Sequence, residues 1–398
     1  MGGPVKVLLA QNMYYLPSHG GANKSNRLIM ERLAGRGHAC HVVAPVTGRL
    51  SHIGPDRMPG YLAERGGEVL EHTDRILRYR HEGVTVHGVL RAQDLPRTVM
   101  DVAGDLGVDW TLVPSDDPGM MMLSAALRST KRVLYLVHTL QQLPFGPRSF
   151  RPSRAATAMI GRAAGLVSVS RAAQEYVERW AGLGSELIYP DIYSCAPVRD
   201  PRPAEQKYVT LVNPCGYKGI DVFLALADAL PQVPFLAVES WGMTDRDRAA
   251  LAARPNVVVH PGADDMEQVY GRTKVLLMPS LWDETFGYCS VEAMLRGIPV
   301  LAADVGGLRE AKLGVGRLLP VRPITRYPGA GPVALPDAEI PAQDVAPWLD
   351  ALRELLGDEE GYGRLARESR RAARGFVAGL DPDAIEAHLT RLSTPVPR

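Results

Sequence analysis

Short apolar runs alternate along the first half of the chain with longer segments that carry apolar residues at helical spacing. The first run, residues 5–10, is followed by a paired-glycine loop and by an amphipathic helix predicted over residues 25–36. Further strands are predicted at residues 41–45, 111–114, 133–139 and 165–170. Such alternation is typical of βαβ units, in which parallel strands are joined by crossover helices.

The alternation stops at a proline-rich stretch, residues 189–203, and then restarts. Strands are predicted at residues 208–213, 235–239, 257–260, 275–278 and 300–302, with helices at 220–230, 245–253, 266–273 and 288–296. These strands carry few charges, as expected for a sheet that helices cover on both faces. The fold class is therefore α/β, with two Rossmann-like doubly wound domains that we expect to face each other across a cleft.

The domain limits follow from the same pattern. We predict an N-terminal domain over residues 1–195 and a C-terminal domain over residues 196–375. A C-terminal helix within residues 376–398 is predicted to pack back toward the first domain. Residues 320–347 contain seven prolines and no clear periodicity, which indicates a surface excursion.

Composition and charge limit the kinds of function that the protein can have. The 398 residues are 46% hydrophobic and 22% charged, which is enough apolar material for more than one core. The net charge of +1 argues against nucleic acid as a partner. Four separated cysteines form neither a disulfide framework nor a zinc motif, which favours a reducing compartment. With neither a signal peptide nor a membrane span predicted, we expect a cytoplasmic protein.

The strongest chemical signal is residues 279–294, which read P-S-L-W-D-E-T-F-G-Y-C-S-V-E-A-M. A predicted strand ends near the carboxylate of Glu284, Gly287 allows close approach of the backbone, and a helix begins just beyond. The start of a helix offers free N–H groups and the positive end of the dipole to a phosphate. Glu292 lies in the same helix, and carboxylates accept hydrogen bonds from sugar hydroxyls. The pattern predicts a nucleotide-sugar site, the alternative being two carboxylates that only stabilise a helix start.

This segment resembles the signature of the retaining GT-B glycosyltransferases of family 4, with Glu284 and Glu292 eight positions apart. The motifs G-I-P-V at residues 297–300 and G-G-L-R-E at residues 306–310 extend the resemblance, which is clearest over residues 205–315. It implies that Glu284 contacts hydroxyls of the donor sugar and that Glu292 binds the ribose. It also implies that backbone amides hold the diphosphate around Phe286, Gly287, Tyr288 and Cys289.

Lys218 follows the first strand of the second half, where a mobile cation suits a leaving diphosphate. A solvated lysine at a helix start is the alternative. The resembling family usually has an arginine about five residues earlier, where this chain has Asn213. What replaces that arginine stays open. We expect Asn213 and Gly262 to line the donor site as well.

Candidates in the first half are Gly20, Gly21 and His138. The resemblance implies that the two glycines border the diphosphate and the acceptor, although the turn alone could require them. His138 ends a predicted strand. The resemblance implies that it lies beside the transferred sugar and donates a hydrogen bond, the alternative being a histidine satisfied within the core.

Acidic and basic clusters elsewhere are assigned structural roles. Asp117, followed by proline, is interpreted as a helix N-cap, although it or Asp116 could orient an acceptor hydroxyl. Asp245 and Asp247 spell D-x-D but lie in the first turn of a predicted helix, and no metal site is predicted. The arginines of residues 148–162 are interpreted as a solvated face rather than a lipid-docking patch.

The resemblance thus implies a retaining, metal-independent hexosyltransferase that requires no cofactor and uses a GDP-, UDP- or dTDP-linked sugar. Its catalytic residues are expected to be His138, Lys218 and Glu284. We expect a small-molecule acceptor, in secondary-metabolite or cell-envelope glycoside biosynthesis, and no membrane contact. The alternatives are a nucleotide-sugar epimerase of the same fold, a lipid-acceptor transferase at a membrane surface and a non-catalytic sugar-binding protein. The oligomeric state is left open.

Overall fold

The computed structural model describes residues 3–18, 20–46, 53–193, 205–262, 265–328 and 337–394. The chain divides into two compact units. Unit 1 consists of Met1–Ile192 and Asp381–Arg398, and unit 2 consists of Tyr193–Leu380. The domain boundary expected between residues 195 and 196 lies outside the described residues.

Unit 1 is built on a nine-stranded sheet with the order β3-β4-β5-β2-β1-β6-β7-β8-β9. Its strands are β1 (Lys6–Ala10), β2 (Ala39–Pro45), β3 (Glu68–His72), β4 (Ile76–His81), β5 (Val84–Val89), β6 (Trp110–Pro114), β7 (Val133–Val137), β8 (Gly165–Ser168) and β9 (Glu186–Leu187). Its helices before residue 192 are α1 (Gly20–Gly35), α2 (Met58–Ala63), α3 (Leu95–Leu106), α4 (Met121–Ser129), α5 (Arg154–Ile160) and α6 (Arg171–Ala181). Strands β6 and β7 are buried along their whole length, which explains their continuous apolar sequence.

The antiparallel meander β3-β4-β5 at one edge of this sheet was not predicted. The sequence features that indicate it are found within β4 and in the turn that follows. Leu77 and Tyr79 are buried while Arg78 and Arg80 alternate with them, as in a strand with one solvated face. The turn between β4 and β5 places Glu82 and Gly83 at positive φ, the backbone that a two-residue hairpin requires.

Unit 2 has a six-stranded, fully parallel sheet with the order β12-β11-β10-β13-β14-β15, which is the strand order of a Rossmann sheet. The strands are β10 (Tyr208–Val212), β11 (Phe235–Val238), β12 (Val257–His260), β13 (Thr273–Met278), β14 (Val300–Ala303) and β15 (Leu318–Leu319). The helices are α7 (Ile220–Ala229), α8 (Asp245–Ala252), α9 (Glu267–Tyr270), α10 (Tyr288–Leu295), α11 (Leu308–Ala311), α12 (Ala346–Gly357) and α13 (Glu359–Ala378). The predicted α/β fold with two Rossmann-like sheets is confirmed.

The C-terminal helix α14 (Ala384–Ser393) belongs to unit 1. Its Ile385 and Leu389 join the apolar core beneath β1 and β7, and Trp110 Nε1 donates to Ser393 Oγ over 3.1 Å. The boundary expected between residues 375 and 376 falls inside α13, where Phe376 stacks on Phe286 of the same unit at 5.8 Å. The chain passes from unit 2 to unit 1 at residues 380–381.

The sequence predicts that residues 320–347 form a surface excursion. The structure shows that the described part of this segment also packs against the rest of unit 2. Ile324 is buried and its amide donates to the Leu281 carbonyl oxygen over 2.6 Å. Tyr327 stacks on Tyr217, so this part of the segment contacts the loops that follow β10 and β13. Within the described residues, no helix has both the length and the hydropathy that crossing a bilayer requires.

Candidate active site

Lys218, Ser280 and Glu284 form a charged cluster in the loops after β10 and β13. Lys218 Nζ and Ser280 Oγ both donate to Glu284 Oε1, the serine over 2.5 Å, and Lys218 Nζ lies 4.8 Å from the Trp282 ring centroid. Burial alone would raise the pKa of Glu284. The Lys218 ammonium and the hydrogen bonds from Lys218 and Ser280 outweigh burial and hold that pKa below its usual value. The site therefore combines an ionised, fixed carboxylate with a cation.

Two glycines allow a second loop to approach the backbone of the loop that carries Glu284. Gly306 has φ +45°, and a side chain there would collide with the Glu284 carbonyl oxygen. A side chain at Gly307 would collide with the Thr285 carbonyl oxygen, and the Gly307 amide donates to the Glu284 carbonyl oxygen over 2.7 Å. The G-G motif thus has a steric reason, since only glycine permits this approach of the two loops.

The helix start after this loop has the geometry that the sequence predicts. Gly287 has φ +109°, and a Cβ there would lie 2.5 Å from the Leu308 side chain. Tyr288 begins α10, whose first amides have no acceptor within the helix. The side chain of Phe286 is buried against Tyr288 and Phe376, so the group it can offer a ligand is its backbone amide.

Glu292 is oriented by a residue that the sequence did not single out. Tyr270 OH donates to Glu292 Oε2 over 2.8 Å, and the Arg296 guanidinium lies 4.7 Å from the Tyr270 ring centroid. Arg296 also pairs with Glu267, which ties α9 to α10. Tyr270 lies 22 positions before Glu292, so no local pattern reveals the contact.

Cysteine chemistry is not favoured at this site. Burial raises the pKa of Cys289 to about 12 and that of Cys215 to about 11. Because the thiolate is the reactive form, both thiols are inert as nucleophiles at neutral pH.

Asn213 takes the left-handed conformation with φ +62°, which asparagine tolerates better than most residues. Its Oδ1 accepts from the Gly242 amide over 2.9 Å, and its buried Nδ2 has no hydrogen-bond partner among the described residues. A neutral amide thus stands where the resembling family has a guanidinium. Gly262 follows β12, and a Cβ there would lie 3.0 Å from the Glu239 carbonyl oxygen.

In unit 1, His138 is buried at the end of β7. Its Nε2 lies 2.8 Å from Asn26 Oδ1, and its backbone amide donates to Ser115 Oγ over 3.0 Å. Burial lowers the pKa of His138 to about 4, so the imidazole is neutral at neutral pH. His138 lines a small pocket together with Ile29, Val169 and the Arg32–Asp191 ion pair.

Gly20 and Gly21 are the first residues of α1, and Gly20 has φ +80°. Helix α1 therefore begins five residues before the predicted helix. The structure places both glycines and His138 in unit 1, and the remaining candidates in unit 2.

The interpretation of Asp117 as the N-cap residue is wrong, since Met120 holds that position, although Asp117 still binds the start of the helix. The Asp117 carboxylate accepts hydrogen bonds from the Met121, Met122 and Leu123 amides at 2.7–3.1 Å. This helix, α4, begins at Met121 and not at the proline after Asp117. Asp247 forms a capping box with Thr244 at the start of α8, as expected for a helix start.

The two-sheet architecture is the GT-B fold. The structure of Anabaena Alr3699/HepE in complex with UDP-glucose superimposes with a TM-score of 0.66 at 17% identity, covering 97% of this chain and 98% of that one. Sucrose-phosphate synthase from Thermosynechococcus elongatus has a TM-score of 0.64 at 18% identity and covers 98% of both chains. The fold is thus shared over nearly the whole length of these proteins.

Residues 208–323 match the family model described as Glycosyl transferases group 1. Among curated relatives, D-inositol 3-phosphate glycosyltransferase of Xylanimonas cellulosilytica is 32% identical over 171 residues, which is 40% of this chain and 36% of that protein. The enzyme of that name from Salinispora tropica is 27% identical over 233 residues, covering 55% of this chain and 40% of that protein. The matches span less than half the length of these relatives.

Proposed function

We propose that this chain is a retaining glycosyltransferase that moves a hexose-type sugar from a nucleoside diphosphate sugar to a hydroxyl of a small acceptor. The observation that carries the proposal is the Lys218, Ser280 and Glu284 cluster, next to the start of α10 and within the matched residues 208–323. A cation, a fixed carboxylate and a helix start are the groups that a diphosphate joined to a sugar requires.

Each group has a distinct task in this proposal. Lys218 and the first amides of α10 stabilise the negative charge that grows on the leaving diphosphate. Glu284 and His138 hold hydroxyls of the transferred sugar, and Glu292, oriented by Tyr270, holds the ribose. The departing phosphate oxygen accepts the acceptor proton on the same face of the sugar, so neither a protein nucleophile nor a metal takes part.

Lys218 must change partner during this cycle. Its ammonium forms an ion pair with the Glu284 carboxylate. A bound diphosphate carries more negative charge than one carboxylate, so it competes for the lysine and releases Glu284 for sugar hydroxyls. We propose that the ion pair keeps both groups in place until the donor binds.

The acceptor and the cellular role remain predictions. We propose a small-molecule acceptor, in secondary-metabolite or cell-envelope glycoside biosynthesis, and a cytoplasmic location. Several relatives are named for D-inositol 3-phosphate, which makes a phosphorylated polyol the first acceptor to test. Donor candidates are the GDP-, UDP- and dTDP-linked hexoses.

A thermal-shift panel of GDP, UDP, dTDP and their hexose conjugates tests the central claim. We expect one nucleotide series to raise Tm, because a ligand that binds only the folded state stabilises it by mass action. The Lys218→Gln variant should lose that response, whereas Thr244→Ala, which removes the cap of α8, should keep it. If no member of the panel raises Tm, the proposal fails.

Product analysis with the selected donor then separates the reactions. A transferase forms a glycoside with D-inositol 3-phosphate or another polyol, and the anomeric configuration of that product reports retention or inversion. An epimerase releases a new free sugar from donor alone. A non-catalytic binder gives neither product, with or without the Glu284→Gln substitution.

A further inference from the structure

The carboxylate of Asp116 lies in the loop that follows β6 of unit 1. Thr139 Oγ1 donates to Asp116 Oδ1 over 2.7 Å. The Gln142 side-chain nitrogen, in the amide orientation that satisfies its neighbours, donates to the same oxygen over 3.0 Å and to the Ser115 carbonyl oxygen over 3.1 Å. Two neutral donors thus hold one oxygen of this carboxylate in place.

The loops after β6 and β7 are joined beside this carboxylate. Ser115 Oγ accepts hydrogen bonds from the His138 and Thr139 amides, each over 3.0 Å. The two loops leave the carboxyl ends of neighbouring parallel strands, and ligands bind at that edge of an open α/β sheet. Asp116 therefore lies at the ligand-binding edge of the unit 1 sheet.

The second oxygen of the carboxylate is open to a ligand. Asp116 Oδ2 accepts no hydrogen bond from the part of the chain that the structure describes, and it is not sealed from solvent. The residue as a whole is half-buried, so its surroundings are partly dehydrated while this one oxygen still reaches the surface. A hydrogen-bond donor of a ligand can therefore contact Oδ2 directly.

The charge of Asp116 has no cation beside it. Burial raises the pKa of Asp116, and the hydrogen bond from Thr139 offsets only part of that rise. Within the described residues, neither a lysine nor an arginine forms an ion pair with this carboxylate. His138, in the adjoining loop, is neutral at neutral pH.

Comparable carboxylates elsewhere in the chain have a partner for their charge. Glu284 pairs with Lys218 in unit 2. Asp191 pairs with Arg32 in unit 1, over 2.5 Å. A dehydrated carboxylate that no cation faces is unfavourable, and a cationic ligand removes that penalty. Asp116 thus has the properties of a subsite for a positively charged group.

We propose that Asp116 binds an ammonium group of the acceptor substrate, which makes that substrate an amino-substituted polyol or sugar. The cation subsite stands on the contacts of Asp116, and only its assignment to the acceptor substrate rests on the proposed function. The ammonium donates a charge-assisted hydrogen bond to Oδ2, while Thr139 and Gln142 keep Oδ1. The positive charge of the ligand in turn favours the ionised form of the carboxyl group.

The same carboxylate selects against a phosphate at this position. A phosphate ester carries about 1.5–2 negative charges at pH 7, so a carboxylate beside it repels it. An ammonium group has no lone pair, so it serves as an anchor and a hydroxyl of the same molecule still attacks the transferred sugar. Asp116 thereby determines the charge of the acceptor substrate without taking part in the bond changes.

Three acceptor substrates that share one ring and differ in charge test the proposal. They are inositol, an amino-deoxy-inositol and D-inositol 3-phosphate, each assayed with the nucleotide sugar that the thermal-shift panel selects. We expect kcat/KM to be highest for the amine and roughly tenfold or more lower for the phosphate, because a charge-assisted hydrogen bond is gained in one case and a repulsion in the other. A phosphate that reacts as well as the amine would overturn the proposal.

Asp116→Asn removes the charge and keeps the shape of the side chain. Its oxygen still accepts from Thr139, whereas the open position becomes an amide nitrogen, which cannot bind an ammonium group. The preference for the amine over inositol should fall by roughly tenfold, with kcat/KM for inositol within about twofold of the unmodified protein. A merely structural role would lower kcat/KM for all three compounds together. If this variant does not fold, Thr139→Val loosens the same carboxylate and should reduce the same preference.

Asp105→Asn is the matched control. Asp105 is exposed near the end of α3, next to Leu106, whose carbonyl oxygen accepts from Lys6 Nζ at the start of β1. It therefore lies at the opposite edge of the sheet from Asp116. The substitution removes the same charge from the same unit and should leave the order of the three compounds unchanged. Loss of the preference in this variant as well would show that net charge sets it, which would contradict the role of Asp116.

Titration calorimetry with the same three compounds, with and without the nucleoside diphosphate, separates this subsite from the proposed function. The amino-deoxy-inositol should bind the unmodified full-length protein more tightly than it binds the Asp116→Asn variant. If it does so but no compound is glycosylated, the proposed function fails and the cation subsite stands. If glycosides form and Asp116→Asn changes neither affinity nor preference, the subsite fails and the proposed function stands. Absence of amine binding under both conditions would also overturn the subsite.

Discussion

The candidate groups of the two units differ in charge. In unit 2, Lys218 and Glu284 contact each other, and the pKa of Glu284 is lowered so that it stays ionised. In unit 1, His138 is equally buried but contacts the neutral amide of Asn26, and its pKa falls to about 4.

Burial disfavours the charged form in both places, and the neighbouring side chain decides the outcome. A cation beside a buried carboxylate compensates for lost hydration. An amide beside a buried imidazole does not compensate for the loss, so the ring gives up its proton. The charged site therefore suits phosphate, and the neutral site suits hydroxyl groups.

The largest expected effect comes from removing the cation. Lys218→Gln should weaken binding of the selected nucleoside diphosphate by roughly 100-fold, because a charge-assisted hydrogen bond is worth about 1.5–3 kcal/mol. His138→Gln should leave that affinity within about twofold and should lower turnover instead. Titration calorimetry with the diphosphate and turnover assays on both variants measure the contrast. Equal losses of affinity would show that the two regions do not differ in this way.

A smaller effect is expected from the loop that carries Glu284. Gly306→Ala adds a Cβ at φ +45° against the Glu284 carbonyl oxygen and should cost about 2 kcal/mol or more. Gly104→Ala in α3 is the matched control, since no atom lies within 4 Å of the added Cβ. It should stabilise the protein by about 0.5–1 kcal/mol. Chemical denaturation measures both, and an equal response would contradict the steric role of Gly306.

The smallest expected effect is on the pH dependence of stability. A buried carboxyl in each unit contributes to it, and the two contributions change with pH in opposite directions. Burial raises the pKa of Asp117 to about 6 despite three backbone hydrogen bonds. The folded state then binds this proton more readily than the unfolded chain. The contribution of Asp117 to the free energy of unfolding is therefore full below the pKa of the unfolded chain and is lost as pH rises through 6. Glu284, with a lowered pKa, contributes above its unfolded pKa and loses that contribution as pH falls through its folded pKa.

Asp117→Asn isolates the unit 1 part of this pH dependence. Because of Asp117, unmodified protein should gain about 1 kcal/mol in free energy of unfolding between pH 7 and pH 5. The variant should lack that gain, whereas Glu284→Gln should keep it. Denaturation curves at both pH values measure the difference, and the same slope in protein with and without Asp117 would refute the assignment.

Much of unit 2 could be predicted because its signals are local. Strands β10 to β14 lie within two residues of their predicted limits, since continuous apolar runs bounded by turn residues report strands buried on both faces. The meander β3-β5 was missed although Leu77 and Tyr79 alternate with arginines. Its strands are antiparallel at the edge of a mainly parallel sheet, and the βαβ pattern gives no reason to expect them.

The partners of the candidate residues could not be predicted. Lys218 and Glu284 are 66 positions apart, and His138 and Asn26 are 112 apart. Sequence motifs marked Lys218, Glu284 and Glu292 through the loop and helix start around them. Tyr270 and Asn26, which contact Glu292 and His138, lie outside these motifs, and Ser280 lies within the segment 279–294 without being singled out there.

The sequence by itself therefore determined what depends on near neighbours: the buried strands, the glycine before α10 and the acidic first turn of α8. Only the tertiary structure decided which atoms meet across strands. Contacts between distant residues depend on strand order and helix placement, which the whole chain sets. For this reason the charge of Glu284 and the neutral state of His138 follow from packing, while their places at strand ends follow from the pattern of apolar residues.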